Sequence, residues 1–226
     1  MEQAIKVWQS EALVWEGLTP AKGRGYRTGG KRLFDLLCVL LLMPIALPLM
    51  AILAGLVMLD GHAPLFGHER IGKGGRRFRC WKLRTMVPDA SARLQAHLAI
   101  CPEAAREWAE TFKLARDPRI TPLGRFLRAT SLDELPQLWN VLVGEMSIVG
   151  PRPVVAEELP LYRGALRHYQ ALRPGLTGLW QVSGRNALSY EARVVLDVAY
   201  ARQHGIWMDL TIFAATFVTV LRRTGC

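Results

Sequence analysis

The chain has 226 residues, half of them hydrophobic, with 29 Lys and Arg against 19 Asp and Glu, for a formal net charge of +10. That length suits one domain with a real core, and the excess of cations points to polyanionic partners: nucleic acid, anionic lipid head groups or phosphorylated small molecules. Cys38, Cys80, Cys101 and Cys226 form no CxxC pair, which argues against a disulfide framework or a zinc site and leaves reduced thiols facing a cytoplasmic environment as the expectation.

Residues 1–30 contain Pro20 and five glycines and are expected to form a polar, basic N-terminal arm, with a short amphipathic helix around Val7–Trp15 as one alternative. No cleavable signal sequence is expected, since the apolar stretch that follows closes without a small-residue cleavage pattern. Residues 36–59, LLCVLLLMPIALPLMAILAGLVML, carry no charge and are long enough to cross a bilayer once. Two features argue for another arrangement. Pro44 and Pro48 each remove a backbone hydrogen bond in the middle of the segment. Both flanks are also basic: Lys22, Arg24, Arg27, Lys31 and Arg32 precede it, and Arg70, Lys73, Arg76, Arg77, Arg79, Lys82 and Arg84 follow. A spanning helix would place one basic flank outside, against the positive-inside rule, whereas a re-entrant helix bent at the prolines keeps both on the cytoplasmic face.

The reading then continues with strand and turn over 65–87, where FRCWKLRTM partly alternates after a GKGG turn. A helix is expected over 89–115 and another over 131–143. The GPRP segment at 150–153 is a stiff turn. Further helices are expected over 156–172 and 189–204, flanking a Pro/Gly-rich loop at 173–186. The apolar stretch 206–221 contains Asp209 and precedes Arg222 and Arg223; a helix lying at the membrane interface and a buried core helix are both open. The whole is an α+β, mostly helical chain, divided into the arm 1–30, the re-entrant membrane helix 31–60 and a cytosolic catalytic domain 61–226 with an interfacial C-terminal helix.

The most informative segment for chemistry is RATSLDELP at 128–136. Asp133 and Glu134 open the predicted helix, either with Ser131 as N-cap and Glu134 completing a capping box, or with Asp133 as the cap and Pro136 in the first turn. Capping alone would explain such acids. Their company points further: an ionised carboxylate can attack phosphorus, and Arg128, Arg152 of the GPRP turn, Lys82 and Arg84 supply cations for phosphate oxygens. An acidic pair beside a diphosphate also suits magnesium, which prefers few carboxylates plus phosphate oxygens. The loop RPGLTGLWQVSGRN sets Gly175, Gly178 and Gly184 between Arg173 and Arg185; glycines there serve close approach to a ligand or a purely structural turn. Zincin, P-loop, Rossmann and hydrolase-elbow motifs are absent from the sequence, and the five scattered histidines are taken as ordinary. The basic residues flank the apolar block rather than interleaving with stacking aromatics, so nucleic acid is not expected as a partner.

KRLFD at 31–35, the proline-containing apolar segment, FRCWKLRTM at 78–86, DPRITPLGRFLRATSLDELPQLWNVLVGEMSIVGPRP at 117–153, RPGLTGLWQVSGRN at 173–186 and LDV at 196–198 together resemble the bacterial sugar transferase family of small monotopic polyprenol-phosphate phosphoglycosyl transferases. The resemblance implies a ping-pong reaction at the cytoplasmic face of the bacterial inner membrane. Asp133 would attack the β-phosphate of a UDP-sugar, UMP would leave, and polyprenyl (undecaprenyl) phosphate would take the phosphosugar from the enzyme. Glu134 would assist, with Asp133 and Glu134 holding Mg2+. Lys82, Arg84, Arg128 and Arg152 match family positions and would hold phosphates, and Arg173, Arg185 and Asp197 join the substrate-binding set. The donor implied by textual similarity is UDP-galactose or UDP-glucose, in the first membrane step of exopolysaccharide biosynthesis. The resemblance leaves room for a homodimer. One departure is Leu47-Pro48, where the family often carries Ser-Pro.

Overall fold

The computed structural model describes residues 25–111, 114–184 and 188–221. The expectations for the arm up to Arg24, and for Arg185, Arg222, Arg223 and Cys226, fall outside these residues.

A π-helical turn, Tyr26–Gly30, runs directly into helix α1, Lys31–Val57. Residues 26–30, expected within the loose arm, are therefore helical. Arg27 donates to the carbonyls of Arg202 (2.6 Å) and His204 (3.3 Å), and the Tyr26 hydroxyl donates to Asp209, which together hold this turn. Helix α1 passes through Pro44 and Pro48 without interruption, so the prolines remove two donors without ending the helix. Phe34, Cys38, Val39, Ala46, Leu53 and Val57 are buried, at spacings that define one helical face. The opposite side leaves Leu37, Leu40, Leu41, Ile45, Ile52 and Leu56 exposed.

Both ends of α1 are tied to the same body. At the N-terminal end, Lys31 Nζ lies 2.9 Å from Asp209 and 3.4 Å from Asp35, two carboxylates with no exposed surface. Asp35 also accepts from Ser147 Oγ (2.8 Å) and the Ile148 amide (2.9 Å), and Asp209 from the Tyr200 hydroxyl (2.7 Å). Arg32 donates to the carbonyls of Val141 and Leu142 at 2.6 and 2.7 Å. At the C-terminal end, Arg84 donates to the Val57 carbonyl (3.2 Å) and forks onto Asp60 at 2.6 and 2.7 Å.

Strands β1, Leu65–Ile71, and β2, Arg77–Leu83, form the expected antiparallel hairpin. The helix predicted over 89–115 is two helices, α2 (Ala90–Ile100) and α3 (Pro102–Thr111). Cys101 before Pro102 is extended, as the proline ring demands of its predecessor. Helix α4, Pro122–Thr130, was not anticipated; Thr121 caps it by accepting from the Gly124 amide, with Pro122 in the first turn. Helix α5, Gln137–Val143, leads to strand β3, Ser147–Val149, which pairs in parallel with strand β4, Gly175–Thr177. Three-residue strands are too short to show an alternating pattern, so this pair left no trace in the sequence. The helix predicted over 156–172 is a 3-10 run, Ala156–Ala165, interrupted by Arg163 at φ 47°, followed by short α6, Leu166–Gln170. Pro160 inside the run withholds a donor that an α-helix would need. Helix α7, Leu179–Val182, lies within the predicted loop, and α8 (Tyr190–Gln203) and α9 (Ile206–Leu221) follow.

The loop glycines serve backbone packing. A Cβ on Gly175 would fall 2.1 Å from the Gly150 amide nitrogen, and one on Gly178 would fall 2.0 Å from the Gly150 carbonyl oxygen. This favours the structural reading of the loop at those two positions. Helix α9 packs into the core along one face, with Met208, Asp209 and Ile212 buried, while Trp207 (76% exposed), Phe217 and Val218 face outward.

Replacing Lys31 by Met would leave Asp35 and Asp209 buried without their cation. It should lower stability by roughly 3–5 kcal/mol, read as a reduced unfolding midpoint in detergent micelles. Tyr26→Phe, which removes one hydrogen bond, should cost about 1 kcal/mol.

Candidate active site

Strand β2 supplies the first part of the site. Its period of two places Phe78, Cys80 and Lys82 on one face. One edge of β2 pairs with β1; at the other, the Asn140 side chain from α5 takes the place of a strand. Its Oδ1 accepts from the Trp81 amide (3.1 Å) and its Nδ2 donates to the Arg79 carbonyl (2.7 Å). Asn140 has no exposed surface. A buried amide satisfied by two backbone groups fixes the position of α5, and of the segment before it, against β2.

That preceding segment carries the acids. Helix α4 ends at Thr130, Ser131 takes the left-handed conformation (φ 57°, ψ 18°), and Leu132–Glu134 form a 3-10 turn before Pro136 enters α5. Neither capping register expected from the sequence is realised. An N-cap residue needs extended backbone, which Ser131 lacks, and its side chain makes no capping bond. Asp133 sits inside the 3-10 turn rather than at the cap of α5. Both acids are thus released from a capping role.

Lys82 Nζ lies 2.6 Å from Glu134 Oε1 and 3.9 Å from Asp133 Oδ2. Arg128, from α4, donates through Nε to Thr85 Oγ1 (2.9 Å) and also exerts its charge on Asp133. Asp133 is buried (7% exposed). Burial pushes its carboxyl up to about 6, with the charge of Glu134 acting in the same direction; Lys82 and Arg128 oppose the rise. A carboxylate in this state is desolvated yet largely ionised at neutral pH, a combination suited to nucleophilic attack.

The other sequence-predicted residues divide into two groups. Arg152 and Asp197 meet in a second cluster: Asp197 is buried, accepts from the Tyr162 hydroxyl (2.7 Å) and is raised by burial to about 7, against the charges of Arg193 and Arg152. Arg84 and Arg173 are placed elsewhere. Arg84 is committed to Asp60 and the end of α1, and Arg173 Nε donates to the Gly144 carbonyl (2.7 Å) just after α5. Sequence reasoning did not single out Asn140, Thr85, Arg193 or Tyr162. Asn140 within an otherwise apolar helix was the only one with a readable signal.

A two-stranded hairpin presenting a lysine, an arginine on a capped helix and a buried aspartate beside a glutamate define a candidate phosphoryl-transfer site next to an exposed apolar helix. The chain belongs to the bacterial sugar transferase family, whose pattern it matches over residues 26–223. It is 51% identical over 195 residues to the UDP-galactose-lipid carrier transferase of Erwinia amylovora and 49% identical over 195 residues to the undecaprenyl-phosphate galactose phosphotransferase of Salmonella typhimurium, covering 86% of this chain and 41% of each relative. It is 47% identical over 196 residues to the exopolysaccharide production protein ExoY of Sinorhizobium fredii, covering 86% of this chain and 87% of that protein. The chain thus spans less than half the length of the first two relatives and nearly all of the third.

Replacing Lys82 by Met removes the cation nearest both acids. The Asp133 carboxyl, at about 6 in the native protein, should then titrate at higher pH, because the charge that favoured ionisation is gone. Carbon-13 NMR of labelled aspartate across pH 4–8 reads the shift; an unchanged titration would contradict the placement of Lys82.

Proposed function

We propose that the chain transfers a hexose 1-phosphate from a UDP-sugar, UDP-galactose or UDP-glucose, to undecaprenyl phosphate, releasing UMP, as the first membrane step of exopolysaccharide biosynthesis. The observation that carries this reading is the buried Asp133 carboxylate beside Lys82, Glu134 and Arg128. The names of the Erwinia and Salmonella relatives, a UDP-galactose-lipid carrier transferase and an undecaprenyl-phosphate galactose phosphotransferase, support the donor and lipid acceptor classes.

Asp133 attacks the β-phosphorus; an oxygen–phosphorus bond forms to its carboxylate as the bond to the α-phosphate oxygen breaks, and UMP departs. A phosphate oxygen of the lipid then attacks the same phosphorus and frees Asp133. Lys82 and Arg128 offset the charge that accumulates on the phosphoryl oxygens. Raised to about 6, Asp133 loses its reactive form as pH falls through that value, so turnover has an acid limb near pH 6. Among the described residues no group of three or more His, Cys, Asp or Glu could hold a metal by itself. The adjacent pair Asp133 and Glu134 nevertheless fits magnesium, which keeps several waters and fills its shell with substrate phosphates. When bound, Mg2+ supplies charge screening between carboxylate and diphosphate.

The membrane reading is a monotopic one, with α1 re-entrant. A helix hydrogen-bonded at both ends to one charged body lies along that body, and the body cannot enter hydrocarbon. The outward apolar residues of α1, with Trp139, Trp207 and Phe217, supply the bilayer-facing surface. Both basic flanks then remain on the cytoplasmic side of the inner membrane.

Asp133→Asn should reduce UMP release by at least about 10³-fold. Incubation of the wild type with donor and Mg2+, without lipid acceptor, should leave a phosphosugar adduct on Asp133 by mass spectrometry; an adduct elsewhere, or none in an active preparation, refutes the assignment. Cysteines introduced at Thr28 and His62 should label from the same side of sealed vesicles, and labelling from opposite sides would establish a spanning helix.

A further inference from the structure

The same face of the β1–β2 hairpin that carries Lys82 carries a second row of basic groups. The register pairs Phe66 with Lys82, His68 with Cys80 and Arg70 with Phe78, so Arg70, His68, Cys80 and Lys82 project to one side. Arg70 and Lys82 both act on the His68 imidazole, which burial holds below its ordinary range. The row therefore extends from the Asp133–Glu134 dyad toward Arg70.

Two features of the far end call for an anion. The first is unbalanced cation. Ile71 bridges to Val154, its amide donating to the Val154 carbonyl (2.9 Å), which sets the end of β1 that carries Arg70 beside the segment that carries Arg152; after burial, the charge of Arg152 is the largest influence lowering the Arg70 guanidinium. No carboxylate lies within ion-pair distance of Arg70 or Arg152 among the described residues. Among the described residues Arg70 donates to His68 Nδ1 (3.1 Å), itself a base, and Arg152 stands over the Trp180 ring at 5.3 Å. Of the neighbouring acids, Glu158 is engaged with Arg193 (2.9 Å) and Asp197 with the Tyr162 hydroxyl (2.7 Å), while Glu157 acts on His68 rather than pairing with Arg70 or Arg152. The second feature is a set of unmet donors. Trp180 is 5% exposed and its indole N–H has no acceptor among the described residues, and the buried Nε–H of Arg193, whose guanidinium lies 5.3 Å from the same ring, has none among them either. Buried donors without acceptors are rare in folded proteins, and two beside like-charged guanidinium groups fit a missing oxyanion.

We propose that Arg70, Arg152 and the Trp180 indole N–H form a second phosphoryl-binding subsite, separate from Lys82 and Arg128, that takes a phosphate not under attack. This rests on the transferase reading above. Guanidinium forks bind phosphate oxygens bidentately, and an indole N–H adds one donor that nothing else in the cluster uses. The phosphate comes either from the nucleotide, as the α-phosphate that leaves in UMP, or from the polyprenyl acceptor. Arg193 is held by Glu158 (2.9 Å) and lies 4.3 Å from the centre of the Tyr190 ring and 5.3 Å from that of Trp180.

Binding is measured by calorimetry with full-length protein in detergent, in the Asp133→Asn background, where no phosphosugar is transferred. A wrong nucleophile assignment therefore leaves this result standing. The probes are UMP, farnesyl phosphate and uridine. Arg70→Gln should weaken UMP or farnesyl phosphate about 10- to 100-fold, and Trp180→Phe about threefold to tenfold, with uridine unchanged. Loss confined to UMP assigns the subsite to the nucleotide; loss confined to farnesyl phosphate assigns it to the acceptor. Arg70→Lys, which keeps the charge without the fork, should recover part of the affinity and controls for misfolding together with the thermal unfolding midpoint. Unchanged affinity for both phosphates in Arg70→Gln and Trp180→Phe, or an equal loss for uridine, would overturn the proposal.

Discussion

Helix α1 is an apolar segment fastened at both ends by charge. Lys31 between Asp35 and Asp209 closes one end, and Arg84 on Asp60 and the Val57 carbonyl closes the other. Buried carboxylates are expensive unless hydrogen-bonded, and here they accept from Ser147, the Ile148 amide, Tyr26 and Tyr200. Those donors come from the turn before α1, from β3 and from α8, so the network sets the mutual position of three parts of the chain. Its geometry obliges one face of α1 to pack into the core and leaves the other, with Leu40, Leu41 and Ile45, facing outward.

The site follows from that anchoring. Helix α1 packs Leu53 and Val57 with Leu83 of β2 and Leu127 of α4. The strand that carries Lys82 and the helix that carries Arg128 are thereby held against the apolar helix. Asn140 then locks α5 to the free edge of β2, and the 3-10 turn before α5 brings Asp133 and Glu134 to the lysine. The same close packing that buries Asp133 raises its carboxyl to about 6. The raised carboxyl and its position thus have a common origin in burial.

The span that matches the family contains every element of this arrangement. ExoY of Sinorhizobium fredii is matched over 87% of its length, whereas the Erwinia and Salmonella proteins carry more than half their length beyond the matched part. The dyad, Lys82, Arg128 and the apolar helix all lie inside residues 26–223, the span that matches the family.

The apolar helix, the hairpin, α8 and α9 were legible because each is long enough for composition or period to identify it. So was the acidic pair with Arg128, because these groups lie within one short segment, whereas Lys82, in a separate segment, was one of several basic candidates. Residue type alone could not separate Lys82 from Arg84 two positions later: the strand period sends Lys82 to the dyad, while Arg84, past the end of β2, turns to Asp60 and the end of α1. Arg173 likewise reads as a phosphate ligand in a Gly-rich loop and instead satisfies the carbonyl of Gly144. The left-handed Ser131, the parallel β3–β4 pair and the approach of Gly175 to Gly150 depend on segments distant in sequence. Local sequence therefore determined which chemical groups this protein owns and that a helix of it is apolar throughout. Only tertiary structure decided which cations meet which anions, because desolvation and contact, unlike charge, are properties of the folded neighbourhood.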